Sequence, residues 1–302
     1  MTVDHKTLSA LEEWDYFNLS ANFQDRVWEA CGGGGIVAAM IAAERLGANR
    51  AEILKYANSG DVTADKSRVV GYGAVALIKD PAPGKSSTPE FKLGAREKRE
   101  LLDIAKKSVE TAVRERKLFT CSPGGLEALA RDRGAFVTLR QKGELRGCIG
   151  DMAPRQPLCM TVRDVAAMAA LRDSRFPRVT SAELNSLEYE VSVLSPLRRV
   201  TDWKQIRVGR NGLLVRKGDY QGVLLPQVAV EQHWDRDTLL NETCLKAGLA
   251  ASCWHDDATD VFSFTAEVFG ESNLTDLLMP DRDASEKLKE APTRRGPGST
   301  PQ

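Results

Sequence analysis

Ala135-Phe136-Val137-Thr138-Leu139, then the turn Lys142-Gly143, then Glu144-Leu145-Arg146-Gly147-Cys148-Ile149-Gly150 decide the fold of this chain. Two β-rich runs joined by a glycine turn read as a hairpin, so the local pairing is antiparallel. Alternation along the second strand turns Arg146 and Cys148 to one side and Leu145, Gly147 and Ile149 to the other. A fixed cation beside a thiol favours the thiolate, the reactive form of cysteine. Gly147 and Gly150 remove bulk where another backbone or a ligand comes close.

Outward from the hairpin, helices and strands alternate irregularly. Ala95 to Lys117 is predicted as a long helix whose apolar stripe is Leu101, Leu102, Ile104, Ala105, Val109, Ala112 and Val113. Leu158 to Leu171 is a second helix, and Tyr189 to Leu194 a strand stopped by Pro196. Gly212 to Arg216 and Gln221 to Leu225 flank a Gly218-Asp219 turn, giving a second hairpin. Asp237 to Ala247 is a helix capped by Gly248, and Val261 to Phe269 a last strand. The pattern is α+β, with a mainly antiparallel sheet and flanking helices.

The N-terminal part is thinner. Leu8 to Leu19 and Cys31 to Leu46 are predicted helices, and Arg68 to Leu77 a lone buried strand. A lone strand has no sheet of its own, so this piece must lean on something. Residues 80–94, rich in Pro, Ser and Gly, read as a linker between residues 1–79 and 95–275. Gly84-Lys85-Ser86 resembles the end of a phosphate-binding loop, but Lys79 stands where its first glycine should be. Residues 276–302 are polar, with Pro and Gly, and are expected to be a disordered tail.

Composition narrows function by exclusion. The chain has 302 residues, 42% of them apolar, enough for a packed core. Lys+Arg and Asp+Glu are both 42, a formal net charge of zero that argues against a nucleic-acid or anionic-membrane surface. No run of about 18 apolar residues spans a membrane, and no secretory signal pattern opens the chain. Cys31, Cys121, Cys148, Cys159, Cys244 and Cys253 lack paired spacing and are expected to be free thiols in a cytoplasmic protein. No spacing for an iron–sulfur cluster occurs, and no cofactor is expected in this chain.

The candidate site residues have functional and structural readings. Cys148 with Arg146 reads as nucleophile, redox thiol or ligand-binding pair, or as a small side chain in tight strand geometry. His233, beside Trp234, reads as a general base for Cys148 or as an ordinary half-buried histidine. Asp173, Ser174, Arg175 and Phe176 read as a substrate clamp in which Arg175 binds carboxylate or phosphate, or as an Asp–Arg pair fixing a loop. Cys253 and His255 are two potential metal ligands where a site needs more. Cys31, followed by four glycines at a helix start, reads as an anion or thiolate position or as a helix opening.

Several blocks together resemble the AMMECR family. Leu145 to Gly150 is similar to its hallmark. Asp173-Ser174-Arg175-Phe176-Pro177, Glu190-Val191-Ser192-Val193-Leu194, Leu224-Leu225-Pro226-Gln227-Val228, Cys244-Leu245-Lys246-Ala247-Gly248-Leu249 and Phe269-Gly270-Glu271 follow in the family order. The resemblance covers about residues 95–272. It implies an α+β fold and kinship with AmmeMemoRadiSam system protein A, whose partners are a Memo-like protein and a radical-SAM protein. The substrate class it leaves open, among small molecule, peptide and tRNA.

Residues 1–79 resemble the C-terminal end of that Memo-like partner, a small partial α/β remnant. The blocks are Ala30-Cys31-Gly32, Asn58-Ser59-Gly60-Asp61 and Arg68-Val69-Val70-Gly71-Tyr72. The resemblance implies a cysteine metal ligand at Cys31 with histidine partners upstream. His5 is the only histidine before His233, so no intact metal site of that type is expected. Met1 is accordingly expected to be a late start within a longer Memo–AMMECR fusion. The functional expectation is a component of the three-part system using an Arg146–Cys148 thiol site. The alternatives are a non-catalytic module docking a Memo-like protein and a nucleic-acid-linked regulator.

Overall fold

A computed structural model describes residues 3–80, 92–152 and 155–271. Most of the predicted linker and the whole predicted tail lie outside the described residues.

The first four-stranded sheet is built on the predicted hairpin. Strands β3 (Ala135–Gln141) and β4 (Glu144–Asp151) are joined by Lys142 and Gly143 at φ 53 and 80. Two positive φ angles suit a tight turn whose twist matches the strands, and glycine takes one without steric cost. Strands β5 (Leu187–Leu194) and β10 (Ala266–Gly270) complete the antiparallel order β10-β5-β3-β4. Helices α5 (Ala95–Glu115) and α7 (Leu158–Leu171) cover one face. The predicted stripe of α5 is buried at every position, against Val137, Leu139, Val191 and Val193. A short helix, α6 (Glu127–Ala130), closes the end of this core.

The second sheet has the antiparallel order β6-β9-β7-β8, from β6 (Arg198–Arg199), β7 (Gly212–Lys217), β8 (Tyr220–Leu224) and β9 (Asp260–Phe264). Helices α8 (Pro226–Glu231) and α9 (Arg236–Lys246) accompany one face, where Leu213, Val215, Val261, Leu239 and Leu240 pack. The other face carries Leu214, Phe262 and Phe264 and is also buried. A strand buried on both faces reads as a continuous apolar run, which accounts for Leu213-Leu214-Val215.

The second face is covered by the N-terminal segment. Helices α1 (Val3–Glu12), α2 (Tyr16–Gln24) and α3 (Gly33–Arg45) bring Leu11, Trp14, Leu19 and Met40 into one cluster with Phe262, Phe264, Leu194 and Leu197. Strands β1 (Arg50–Asn58) and β2 (Gly71–Ile78), with a helical turn α4 (Gly60–Thr63) between them, form an antiparallel hairpin beside these helices. The ion pairs Lys6–Asp132, at 2.9 Å, and Arg155–Asp25, at 2.7 Å, also join the two parts, as do Arg131 and Arg133 with Glu13.

Four expectations are corrected. The strand ending at Leu77 is not alone: it pairs with β1, whose charged Glu52 and Lys55 mask its strand pattern. The helix expected over Leu8 to Leu19 breaks at Trp14, φ 58, because buried Asp15 caps α2 by accepting from the Asn18 amide at 3.1 Å. The strand expected over Val261 to Phe269 is two strands in two sheets. The crossing at Thr265 is held by mutual bonds with Ser195, at 2.9 Å each. Cys244 and Cys253 are not free thiols but a disulfide with Cα atoms 5.9 Å apart, because the chain after α9 turns back within nine residues.

Candidate functional site

The site grows from a bulge. A two-residue turn at Lys142-Gly143 would by itself set Thr138 opposite Gly147. Instead Leu139 pairs with Gly147 and Arg140 with Leu145, leaving Arg146 as the extra residue on β4. Strict alternation therefore holds from Gly147 onward and fails at Arg146. The shift brings Thr138 opposite Cys148, and the Thr138 hydroxyl donates to Cys148 Sγ at 3.4 Å.

The face opposite Cys148 is held by close helix packing. A Cβ on Gly147 would stand 2.4 Å from the Ala169 carbonyl oxygen of α7, so only glycine lets that helix lie on β4. On the Cys148 side, a Cβ on Gly150 would enter the Phe136 ring at 2.2 Å.

β4 is the edge of its sheet, and the segment after α7 seals it. Asp173 Oδ2 accepts from the Cys148 amide at 2.8 Å, and Arg175 Nη2 donates to the Cys148 carbonyl at 3.0 Å. Arg175 also grips Asp173 through Nε at 2.9 Å and Nη2 at 2.7 Å. The Arg175 guanidinium, with the Cys148 and Arg175 amides, holds the Asp173 carboxyl down at about 2. Arg146 donates through Nε to Glu183 Oε1 and through Nη1 to the Pro177 carbonyl, both at 2.8 Å. Arg146, aided by the Thr180 amide and hydroxyl, holds Glu183 at about 2. Unpaired edge groups invite association with other strands, and Asp173 and Arg175 close those of Cys148.

One further carboxyl belongs to the site. Thr138 pairs with Cys148 on one side and with Glu190 of β5 on the other. Cys148, Thr138 and Glu190 thus form one row across three strands, on the face turned away from α5 and α7. Burial raises the Glu190 carboxyl above the usual range, with nearby Arg140 opposing and Glu231 of α8 adding to the rise. Thr138 is buried, while Cys148 and Glu190 are half-buried.

The structure thus brings Cys148, Asp173 and Arg175 together and sets Arg146 beside the same loop. It does not bring in His233, which lies just beyond α8 at φ 56 with no hydrogen bond or ion pair to Cys148. Cys31 is exposed before Gly32, which opens α3 at φ 77. Cys253 is consumed by its disulfide, and His255 stacks on Trp254 with ring centroids 3.5 Å apart. Among the described residues no three His, Cys, Asp or Glu side chains stand together as metal ligands.

Glu190, Thr138 and Glu183 were not among the expected site residues. A carboxylate alternating with Tyr189 and Val191 was a visible signal for Glu190. Thr180-Ser181-Ala182-Glu183 has capping-box spacing, and Glu183 does reach back to the Thr180 amide at 2.8 Å. Thr138 had no signal, because only the bulge places it.

The comparisons with known proteins agree with this architecture. The AMMECR1 family model matches residues 102–269. The chain belongs to the AMMECR1 family. A second model, Memo-like protein, matches residues 1–76, the segment that covers the second sheet of the AMMECR domain. A protein of Thermococcus kodakarensis, TK0174, is 43% identical over 181 residues, covering 57% of this chain and 88% of the relative. A Nanoarchaeum equitans protein, NEQ441, is 38% identical over 178 residues, covering 57% of this chain and 98% of its own length. The crystal structure of an uncharacterized protein from Pyrococcus horikoshii, PH0010, superposes on the AMMECR domain. Its TM-score is 0.54 and its identity 40%, covering 57% of this chain and 89% of the other. The described residues contain no helix long and apolar enough to cross a membrane.

Proposed function

We propose that this chain is the AMMECR component of a three-part system with a Memo-like protein and a radical-SAM protein. Its working surface is the Cys148–Thr138–Glu190 row. The observation that carries this reading is the row itself. A thiol, a hydroxyl and a carboxyl of raised pKa share one register line on the sheet face not used for the helical core. A carboxyl can pass protons, and a thiol can attack as a nucleophile. Arg146 and Arg175 act here as positioning residues, because both guanidinium groups hold carboxylates and carbonyls. The substrate is a small molecule or a peptide that reaches the half-buried thiol.

The test compares untargeted metabolite profiles of strains carrying the wild-type chain, Cys148→Ser and Glu190→Gln. Both variants are expected to lose system output while their thermal unfolding stays near wild type. Equal output from Cys148→Ser and the wild type overturns the reading.

A second reading is non-catalytic docking of a Memo-like protein. The shared hydrophobic cluster of the Memo-like segment and the AMMECR domain favours it, because that packing demonstrates complementary surfaces within one chain. Loss of a Memo-like partner on Arg140→Glu, with Cys148→Ser silent in output, selects docking over chemistry.

A further inference from the structure

Cys121 and Cys159 lie away from the Cys148 row, in the helical core of the first sheet. Cys159 is the second residue of α7 and is fully buried. Cys121 lies in the segment between α5 and α6 and is half-exposed. The Cys121 thiol donates to the Cys159 main-chain carbonyl at 3.4 Å, which sets the two cysteines side by side. They contrast with the other sulfurs. Cys244 and Cys253 are already bridged, Cys148 faces the Thr138 hydroxyl, and Cys31 is exposed.

Three features make the pair asymmetric. Cys159 sits in the first turn of a 14-residue helix, near its positive end. Arg163, one turn further along α7, is close enough to favour charge on Cys121, with Asp164 partly opposing it. The neighbouring Cys159 thiol draws the Cys121 thiol down to about 7 and is itself pushed up by the contact and by burial. The half-exposed sulfur is thus the nucleophile, and the buried one is held in reserve behind it.

We propose that Cys121 and Cys159 are a peroxide-reactive dithiol, with Cys121 the attacking thiol and Cys159 the resolving one. The Cys121 thiolate attacks an oxygen of a hydroperoxide, so that an S–O bond forms and the O–O bond breaks. The leaving alkoxide or hydroxide takes up a proton, leaving Cys121 as a sulfenic acid. Cys159 then attacks the Cys121 sulfur, an S–S bond forms, and the S–O bond breaks. The hydroxide leaves as water with the proton of Cys159. The two thiols lose two electrons and the hydroperoxide gains them, giving one alcohol or water and a second water. Gly124 and Gly125, at φ 59 and 78, turn the Cys121 segment just beyond the thiol and give its backbone room to close on α7.

The test treats the full chain with hydrogen peroxide and maps tryptic peptides without reduction. Cys121 falls in the peptide 118–131 and Cys159 in the peptide 156–163. The expected product joins these two peptides and is 2 Da lighter than their sum, and the four free thiols fall to two. Peroxide that oxidises Cys31 or Cys148 while peptides 118–131 and 156–163 stay unlinked overturns the proposal. A second measurement follows iodoacetamide labelling of untreated protein at pH 7. Cys121 is expected to react about tenfold faster than an ordinary thiol of pKa near 8.5, and labelling no faster than that also overturns it. In Cys159→Ala, which retains the helix, Cys121 is expected to accumulate as sulfenic and then sulfinic acid. Because this variant also loses the group that lowers the Cys121 thiol, it is oxidised at about pH 9, where an ordinary thiol ionises; no oxidised Cys121 there means that Cys121 is not the attacking thiol.

Discussion

The two four-stranded sheets of the AMMECR domain share a plan but differ in what covers them. In both, a glycine lets a helix backbone lie on a strand: Gly147 under Ala169 of α7, and Gly222 under Ala247 beyond α9. The second sheet is then buried on its other face too, where Leu214, Phe262 and Phe264 meet the Memo-like helices. The first sheet keeps polar groups on its other face, Thr138, Cys148 and Glu190, and joins the shared cluster at one end through Phe136, Leu194 and Ala266. An apolar face needs a cover, because exposed apolar surface costs roughly 25 cal/mol per Å². A polar face can stay accessible. The difference separates a face built for cohesion from one whose polar groups Cys148 and Glu190 stay partly exposed.

The largest expected effect breaks the cohesive face. Phe264→Ala empties a fully buried position between the second sheet and the N-terminal helices. Urea denaturation should show a loss of about 3–5 kcal/mol. A loss below about 1 kcal/mol would mean that the Memo-like cover contributes little there.

The glycine contacts come next. Gly147→Ala and Gly222→Ala each place a Cβ 2.4 Å from backbone atoms, and each should cost about 1–3 kcal/mol by overpacking. The comparison sharpens if Gly147→Ala also lowers the reactivity of the Cys148 thiol, measured by alkylation, since it displaces β4 from α7. Unchanged stability in either variant would show that the helix can withdraw without penalty.

The edge clamp has a comparable but local effect. Asp173→Ala leaves the Cys148 amide without its acceptor and Arg175 without its carboxylate, at a cost of about 1–3 kcal/mol. Faster hydrogen exchange at the Cys148 amide, with exchange at Val215 unchanged, is the expected signature. Asp173 and Glu183 both titrate near 2 in the folded chain, below ordinary carboxyl values. Their contribution is full above about pH 4 and is lost as pH falls from there through 2.

The smallest expected effect is a pH slope of opposite sign at the cohesive face. Burial raises Asp15 to about 6, with Glu13 adding to the rise and the Asn18 amide, Arg133 and Arg198 opposing it. Its folded value lies above the unfolded one, so its contribution is full below about pH 4 and disappears as pH rises through 6. Thermal unfolding of the wild type should therefore gain more between pH 7 and pH 5 than that of Asp15→Asn. Equal gains would place the pH dependence of this face elsewhere, with Glu44 or Asp132, whose carboxyls burial also raises.

Much of this was legible in advance, for stated reasons. The α5 stripe, the α7 helix, both hairpins and the family blocks depend on local periodicity and turn chemistry, which the order of residues determines by itself. The candidate site was legible at Cys148, Asp173 and Arg175, which do meet, but the roles of the arginines were not. Alternation aimed Arg146 beside the thiol, and the bulge sends it to Glu183 instead. His233 drew notice by residue type alone, and residue type carries no distance.

What the tertiary structure alone decided involves partners far apart in sequence. The Thr138–Cys148 pairing depends on a one-residue shift that no turn residue announces. The split at Thr265 depends on Ser195, 70 residues earlier. The Cys244–Cys253 bridge depends on how the chain leaves α9. The second sheet's need for a cover was visible in Leu213-Leu214-Val215, whereas the identity of that cover, helices more than 150 residues upstream, was not. Local sequence sets which surfaces are apolar and which turns are tight; which surfaces meet depends on long-range burial that only the folded chain resolves.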